Sequence, residues 1–69
     1  MTNHDLTARQ LEVLQQVAYG RSNTEIAFDL GVSEQTVKNH MTAVMRKLNV
    51  NNRIDAIREG VKKQVILFP

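Results

Sequence analysis

The run Asn23-Thr24-Glu25-Ile26-Ala27-Phe28-Asp29-Leu30, followed by Gly31-Val32-Ser33 and then Glu34-Gln35-Thr36-Val37-Lys38-Asn39-His40-Met41-Thr42, decides the fold. Ala27 is small where two helices must cross closely, and Gly31 permits a tight left-handed turn. Ile26, Leu30, Val32 and Val37 are the apolar residues that bury the corner. Ser22-Asn23-Thr24-Glu25 reads as a capping box, in which a hydroxyl and a carboxylate satisfy each other's backbone amides. Ser33 caps the next helix, with Val32 and Val37 as its hydrophobic staple. A short helix, a three-residue turn and a longer helix form a helix-turn-helix, which offers its second helix to the major groove of a duplex.

That second helix has two faces. At about 100° per residue, Val37, Met41, Val44 and Leu48 fall on one narrow stripe, with Met45 at its edge. Opposite them lie Gln35, Lys38, Asn39, Thr42, Arg46 and Asn49, a row of hydrogen-bonding side chains with no carboxylate. A solubilising face usually mixes Glu with Lys. This row holds the side chains that read base edges: Lys to guanine, Asn or Gln to adenine, Thr to thymine. An ordinary wet helix face is the competing reading. The helix N-terminus, with Ser33, Gln35 and Thr36, also offers amides and hydroxyls to a phosphate.

Working outward, Thr7-Ala8-Arg9-Gln10 is a further capping box, with Leu6 and Leu11 as its staple, and Gly20 ends the helix it opens. Asn49 is a left-handed terminator for the long helix, and Asn52 with Asp55 starts a last one. The expected architecture is all-α: four helices over about 8–19, 23–30, 34–48 and 53–63, in one domain spanning 1–69. The ends, Met1–Asp5 and Val65–Pro69, are expected to be the most mobile, although Val65-Ile66-Leu67-Phe68 is apolar enough to pack on the body or on a partner. The last helix carries Ile54, Ile57, Val61 and Val65 on one stripe, beside the small residues Ala56 and Gly60. A rim helix in so short a chain buries only part of that stripe, and the rest suits a two-fold interface.

The 69 residues contain no Cys and two His, His4 and His40. Disulfide scaffolds, thiolate metal sites and cysteine nucleophiles are thereby removed. Neither a nucleophile constellation nor a Gly-rich phosphate loop is present, so neither enzyme chemistry, a cofactor nor a metal is expected. The longest apolar run is far short of a membrane span and no leader pattern is visible, so a soluble, cytoplasmic domain without membrane contact is expected. Residues 1–32 carry a net charge of −2 and residues 33–69 carry +4, within an overall +2. The basic C-terminal half suggests a polyanionic partner.

Leu6-Thr7-x-Arg9-x-x-Glu12-Val13-Leu14, Gly20-x-Ser22-Asn23-x-Glu25-Ile26-Ala27, Leu30-Gly31-Val32-Ser33-x-x-Thr36-Val37-Lys38-Asn39-His40 and Arg46-Lys47-Leu48-x-Val50 resemble the LuxR/GerE family. This is the DNA-binding domain at the C-terminus of NarL/FixJ-type bacterial response regulators and quorum-sensing activators, and the resemblance covers about residues 6–66. It implies a four-helix domain whose third helix reads double-stranded DNA and whose fourth pairs two copies. Carried over by position, Gln35, Lys38, Asn39 and Thr42 face bases. Ser22, Asn23, Thr24, Ser33, Thr36, Arg46 and Lys47 are phosphate candidates. His40 is either a further phosphate contact or a neutral bridge to the first helix. Ile54, Ile57, Gly60 and Val61 are the candidate dimer interface, for a homodimer that is weak without DNA. RNA polymerase is a candidate further partner, and the family commonly carries a receiver or ligand-binding domain ahead of this one.

Some residues depart from the family pattern. Phe28 stands where a charge is common, and an extra packing contact is expected of it more than a binding role. Gly60 replaces the usual Ala, either to allow close approach across a two-fold axis or simply weakening the helix. Gln64 stands where glycine often ends the last helix. Arg53, at a helix start where the dipole disfavours a cation, suggests a phosphate or carboxylate partner, although an exposed arginine needs none. Region 4 of a sigma factor is the nearest rival, but it normally lacks the Asn51-Asn52-Arg53 entry. A protein-interaction module that had lost DNA would carry acidic residues on the 35/38/39/42 face, which has none.

Overall fold

The computed structural model describes residues 5–67, in which four helices follow one another: α1 (Ala8–Ala18), α2 (Asn23–Leu30), α3 (Glu34–Leu48) and α4 (Arg53–Lys62). No strand occurs among the described residues. α1 and α4 each stop one residue earlier than expected, because Tyr19 and Lys63 serve as caps.

Every helix starts on a side-chain cap. The Thr7 hydroxyl accepts from the Gln10 amide at 3.1 Å while Gln10 Oε1 accepts from the Thr7 amide at 3.1 Å. Ser22 and Glu25 repeat the exchange at 3.1 and 2.9 Å. Ser33 Oγ accepts from the Thr36 amide at 3.0 Å, and Asn52 Oδ1 from the Asp55 amide at 2.8 Å. A typical cap contributes about 1 kcal/mol, a large share of the roughly 3–10 kcal/mol that a chain of this size has in total.

The four helices also end alike. One residue turns left-handed, and the next amide reaches back to the fifth carbonyl before it. These bonds are Arg21 to Gln16, Val32 to Ala27, Val50 to Met45 and Val65 to Gly60, at 2.9 to 3.2 Å. The left-handed residues are Gly20, Gly31, Asn49 and Gln64. Gln64 takes φ +62° although it has a Cβ, so α4 ends at a conformational cost that glycine would avoid. Left-handed backbone costs a side-chain-bearing residue about 1–2 kcal/mol, partly offset by glycine's larger unfolded-state entropy. Gln64→Gly should therefore stabilise the fold by about 0.5–1 kcal/mol, read as a higher denaturation midpoint; an unchanged or lower midpoint would show that the Gln64 side chain contributes more than its backbone costs.

α3 lies at the centre, packed against α1, α2 and α4, while the α2 and α4 backbones do not approach one another closely. Its inner stripe, Val37, Met41, Val44 and Leu48, is buried against Leu6, Val13, Leu14 and Val17 from the α1 side, Ile26 and Ala27 from α2, and Ala56 from α4. The stripe foreseen from periodicity is the stripe that is buried.

The last described residues close the core. Met1–His4 and Phe68–Pro69 lie outside the description, and what was expected of their mobility and packing falls there. Asp5 and Val65–Leu67, grouped with them as mobile ends, are held in place. Ile66 is buried. The Gln15 side-chain amide donates to the Leu67 carbonyl at 2.7 Å, and Gln15 Oε1 accepts from the Leu67 amide at 2.8 Å. Gly60 makes the room for this segment. A Cβ there would stand 2.9 Å from Ile66 Cγ1 and 3.1 Å from Leu14 Cδ2. Gly60 is thus buried by its own chain, which corrects its assignment to a dimer interface: its missing side chain admits Ile66, not a second protomer.

Candidate nucleic-acid interface

Gln35, Lys38, Asn39, Thr42 and Arg46 are all exposed on the outer side of α3. The helix has no freedom to rotate them inward, because the four residues behind them are locked in the core. From Gln35 to Arg46 the row runs for about 16 Å along the axis. Gln35 Nε2 donates to Asn39 Oδ1 at 3.0 Å, so two members of the row are joined within the helix.

The charges of the molecule sort themselves around this face. Arg9 pairs with Glu12, Arg21 with Asp29, Arg58 with Asp55 and Lys63 with Glu59. Lys38, Arg46, Lys47, Arg53 and Lys62 have no ion pair among the described residues, and three of those five are on α3. The acid nearest the row, Glu34, accepts from the Thr24 hydroxyl at 3.0 Å. Cationic charge without an ion pair is thus found chiefly on one helix.

The starts of α2, α3 and α4 are tied together. Thr24, in the first turn of α2, reaches Glu34 at the start of α3. Arg53, the first residue of α4, donates to Asn23 Oδ1 at 3.1 Å. Arg53 therefore has an amide oxygen as its partner, where a phosphate or carboxylate was expected. The N-termini of α3 and α4, each a partial positive charge, thus both lie within side-chain reach of the start of α2. Ser22 and Ser33 are engaged as caps. Thr36 is half-buried, with its hydroxyl 3.0 Å from Ser33 Oγ. His40 is half-buried on the flank of α3.

Lys47 is engaged within the chain. Its ammonium donates to the Asp5 carbonyl at 2.9 Å and to Gln10 Oε1 at 3.0 Å. It ties the end of α3 to the capping box of α1, a structural job that the sequence did not announce. Residues 37 and 42 positions away in sequence supply these partners, so no local pattern could have revealed them. Phe28 is the opposite surprise: it is 86% exposed, not an additional packing contact.

On α4, Ile54 is 67% exposed, and with the half-buried Ile57 and Val61 it lines an open apolar groove bordered by Arg58. Ala56 and Gly60 face the opposite way, into the core.

One titration bears on this face. The amide bond from Ser22 holds the Glu25 carboxyl below the usual carboxylate range. Its folded value is depressed, so its contribution is complete above the unfolded value of about 4.3. It is lost as pH falls through the folded value. Gln10 makes the same bond in the α1 box without a charge. Glu25→Gln should keep the α2 box and abolish its acid sensitivity, checked by following the Ser22 amide shift from pH 7 to 2.

The family model for bacterial regulatory proteins, luxR family, matches residues 4–59. The chain is 52% identical over 52 residues to a glycerol metabolism activator of Pseudomonas putida, covering 75% of this chain and 24% of the relative. It is 48% identical over 59 residues to the transcriptional regulatory protein DegU of Brevibacillus brevis, covering 86% and 25%. The chain thus spans about a quarter of the length of these curated relatives. The solved structure of the transcription factor GerE superposes with a TM-score of 0.89 at 33% identity, covering 93% of this chain and 96% of that one.

Proposed function

Because the chain belongs to the luxR family of bacterial regulatory proteins, we propose that it binds double-stranded DNA sequence-specifically and regulates transcription. α3 enters the major groove, with Gln35, Lys38, Asn39 and Thr42 toward base edges and Arg46 toward a phosphate. The observation that carries this reading is the outer face of α3: exposed, free of carboxylate, backed by core and bearing cations that no acid neutralises. The relatives' names, an activator and a transcriptional regulatory protein, support the regulatory role. No helix of the described chain is long and apolar enough to cross a membrane.

The test is a titration of the 69-residue chain with mixed duplex DNA at low ionic strength. Backbone amides from 34 to 46 should shift and the affinity should fall steeply with salt. Amides on α3 that stay in place while DNA is in excess would end the reading.

The groove of Ile54, Ile57 and Val61 supports a two-fold dimer that places two copies of α3 about one DNA turn apart, on an inverted repeat. Three aliphatic residues on one helix make a small patch, so the dimer is weak until DNA joins the halves. Ile57→Glu, at a half-buried rim position, should leave a folded chain that binds a single half-site normally. On the paired site it should lose cooperativity, costing tenfold or more in affinity by removing the linked second contact (order of magnitude from). Unchanged binding to the paired site in a gel-shift titration would place the interface elsewhere.

A further inference from the structure

α4 is held to the body by little of its own. It packs on α1 and α3, yet the residues it buries are Ala56 and Gly60, a methyl group and a bare backbone. Its larger apolar side chains, Ile54, Ile57 and Val61, are exposed or half-buried. Apart from Ala56 and Ile66, every buried apolar side chain among the described residues precedes residue 49. Ile66 therefore supplies the large buried group that α4 lacks. A Cβ on Gly60 would stand 2.9 Å from Ile66 Cγ1 and 3.1 Å from Leu14 Cδ2, so Ile66 fills the space where α4 meets α1. The next residue is clamped from α1. Gln15 donates to the Leu67 carbonyl at 2.7 Å and accepts from the Leu67 amide at 2.8 Å. Both partners are backbone groups, so the orientation of the Gln15 amide is fixed: reversing it would set donor against donor and acceptor against acceptor. The chain reaches this seat through Gln64, whose left-handed φ of +62° is costly for a residue with a Cβ.

We propose that Gln15 and Ile66 are positioning residues for the paired-site complex: they latch α4 onto α1, and α4 together with residues 64–67 opens as one unit while α1, α2 and α3 stay folded. This rests on α4 being the helix that pairs two copies. Opening of this kind follows from the unevenness of the core, because a segment that buries few apolar side chains is the first to come away. A copy whose α4 is open keeps its base-reading face and binds one half-site, but it offers no surface to a second copy. Two residues that are neither on α3 nor in the groove of α4 thereby control whether the second copy joins.

Hydrogen exchange of the 69-residue chain, followed amide by amide, tests the unit. Ile26 is buried on α2, whose backbone does not approach α4 closely. Ile26→Val should speed exchange of the most protected amides in α2 and α3 by about threefold or more, the effect of one buried methylene on an opening equilibrium. It should leave the α4 amides unchanged, because the state in which α4 alone is open still holds residue 26 in its core. Equal acceleration in α4 would make the four helices one cooperative unit and overturn the proposal. Ile66→Ala removes the plug itself and should speed α4 exchange by about thirtyfold or more. In gel-shift titrations its half-site affinity should stay within about twofold of the unsubstituted chain while its paired-site affinity falls by about tenfold or more. Gln15→Met keeps the bulk, removes the clamp and should act in the same direction, less strongly. Half-site and paired-site affinities that fall together in both variants overturn the proposal. Ile57→Glu separates it from the reading beneath it. Paired-site binding that is lowered by Ile57→Glu and not by Ile66→Ala overturns the latch alone; paired-site binding lowered by neither removes the pairing role of α4 first, and the latch falls with it.

Discussion

Lys38→Ala weakens binding to the cognate paired site by about 2–6 kcal/mol, about 30-fold to 10⁴-fold, and weakens binding to random duplex far less. The magnitude follows from one good base contact of about 1–3 kcal/mol per half-site, counted twice in a two-fold complex, with 1.4 kcal/mol to each factor of ten. The structure makes this substitution unusually clean. Lys38 is exposed and has no ion pair among the described residues, so truncating it removes nothing from the fold. Arg46, farther along the same face, is the natural contrast. If it meets a phosphate as proposed, it supplies no sequence information, so Arg46→Ala should weaken cognate and random DNA alike and reduce the salt slope by about one unit. Equilibrium titrations of both variants on both duplexes at several salt concentrations make the comparison. Equal losses for Lys38→Ala on cognate and random DNA would move Lys38 from base to backbone.

Leu14→Ala destabilises the chain by about 2–5 kcal/mol, the range for removing a fully buried leucine and leaving a cavity. Set against a total of roughly 3–10 kcal/mol for 69 residues, that is enough to leave much of the population unfolded at growth temperature. Leu14 has no exposed surface and would be 3.1 Å from a Cβ at Gly60, so it stands where α1, α4 and the Ile66 segment meet. The void cannot be refilled by a neighbour, because Ile66 is held by the clamp from Gln15 to the Leu67 backbone. Chemical denaturation followed by circular dichroism measures the loss. A cost under about 1 kcal/mol would mean that the C-terminal segment collapses into the gap, and that the clamp is looser than its two hydrogen bonds indicate.

Most of the fold was legible in the residues for a simple reason. Caps, staples and helix ends are made by side chains three to six positions apart, and such contacts are spelled out in order along the chain. Thr7 with Gln10, Ser22 with Glu25 and Asn52 with Asp55 each found its expected partner. The two faces of α3 were legible for the same reason, since 3.6-residue periodicity is itself local. The tie from Lys47 to Asp5 and Gln10 was not legible, because those partners are at another helix's start. Gly60 misled because a small residue on a rim helix fits a two-fold axis as well as it fits a neighbouring segment. Phe28 was expected to pack, and its side chain is instead exposed.

The chain's order of residues alone determined four helices, their caps, the turn between α2 and α3, and which side of α3 faces outward, because each depends on groups within a turn or two of one another. Tertiary structure alone decided where the Ile66 segment lodges, that Arg53 meets Asn23, that Lys47 meets Asp5 and Gln10, and that the small strip of α4 points inward. Those outcomes depend on the distance between residues 30 to 52 positions apart, and that distance is set only when the helices have packed and buried their shared core.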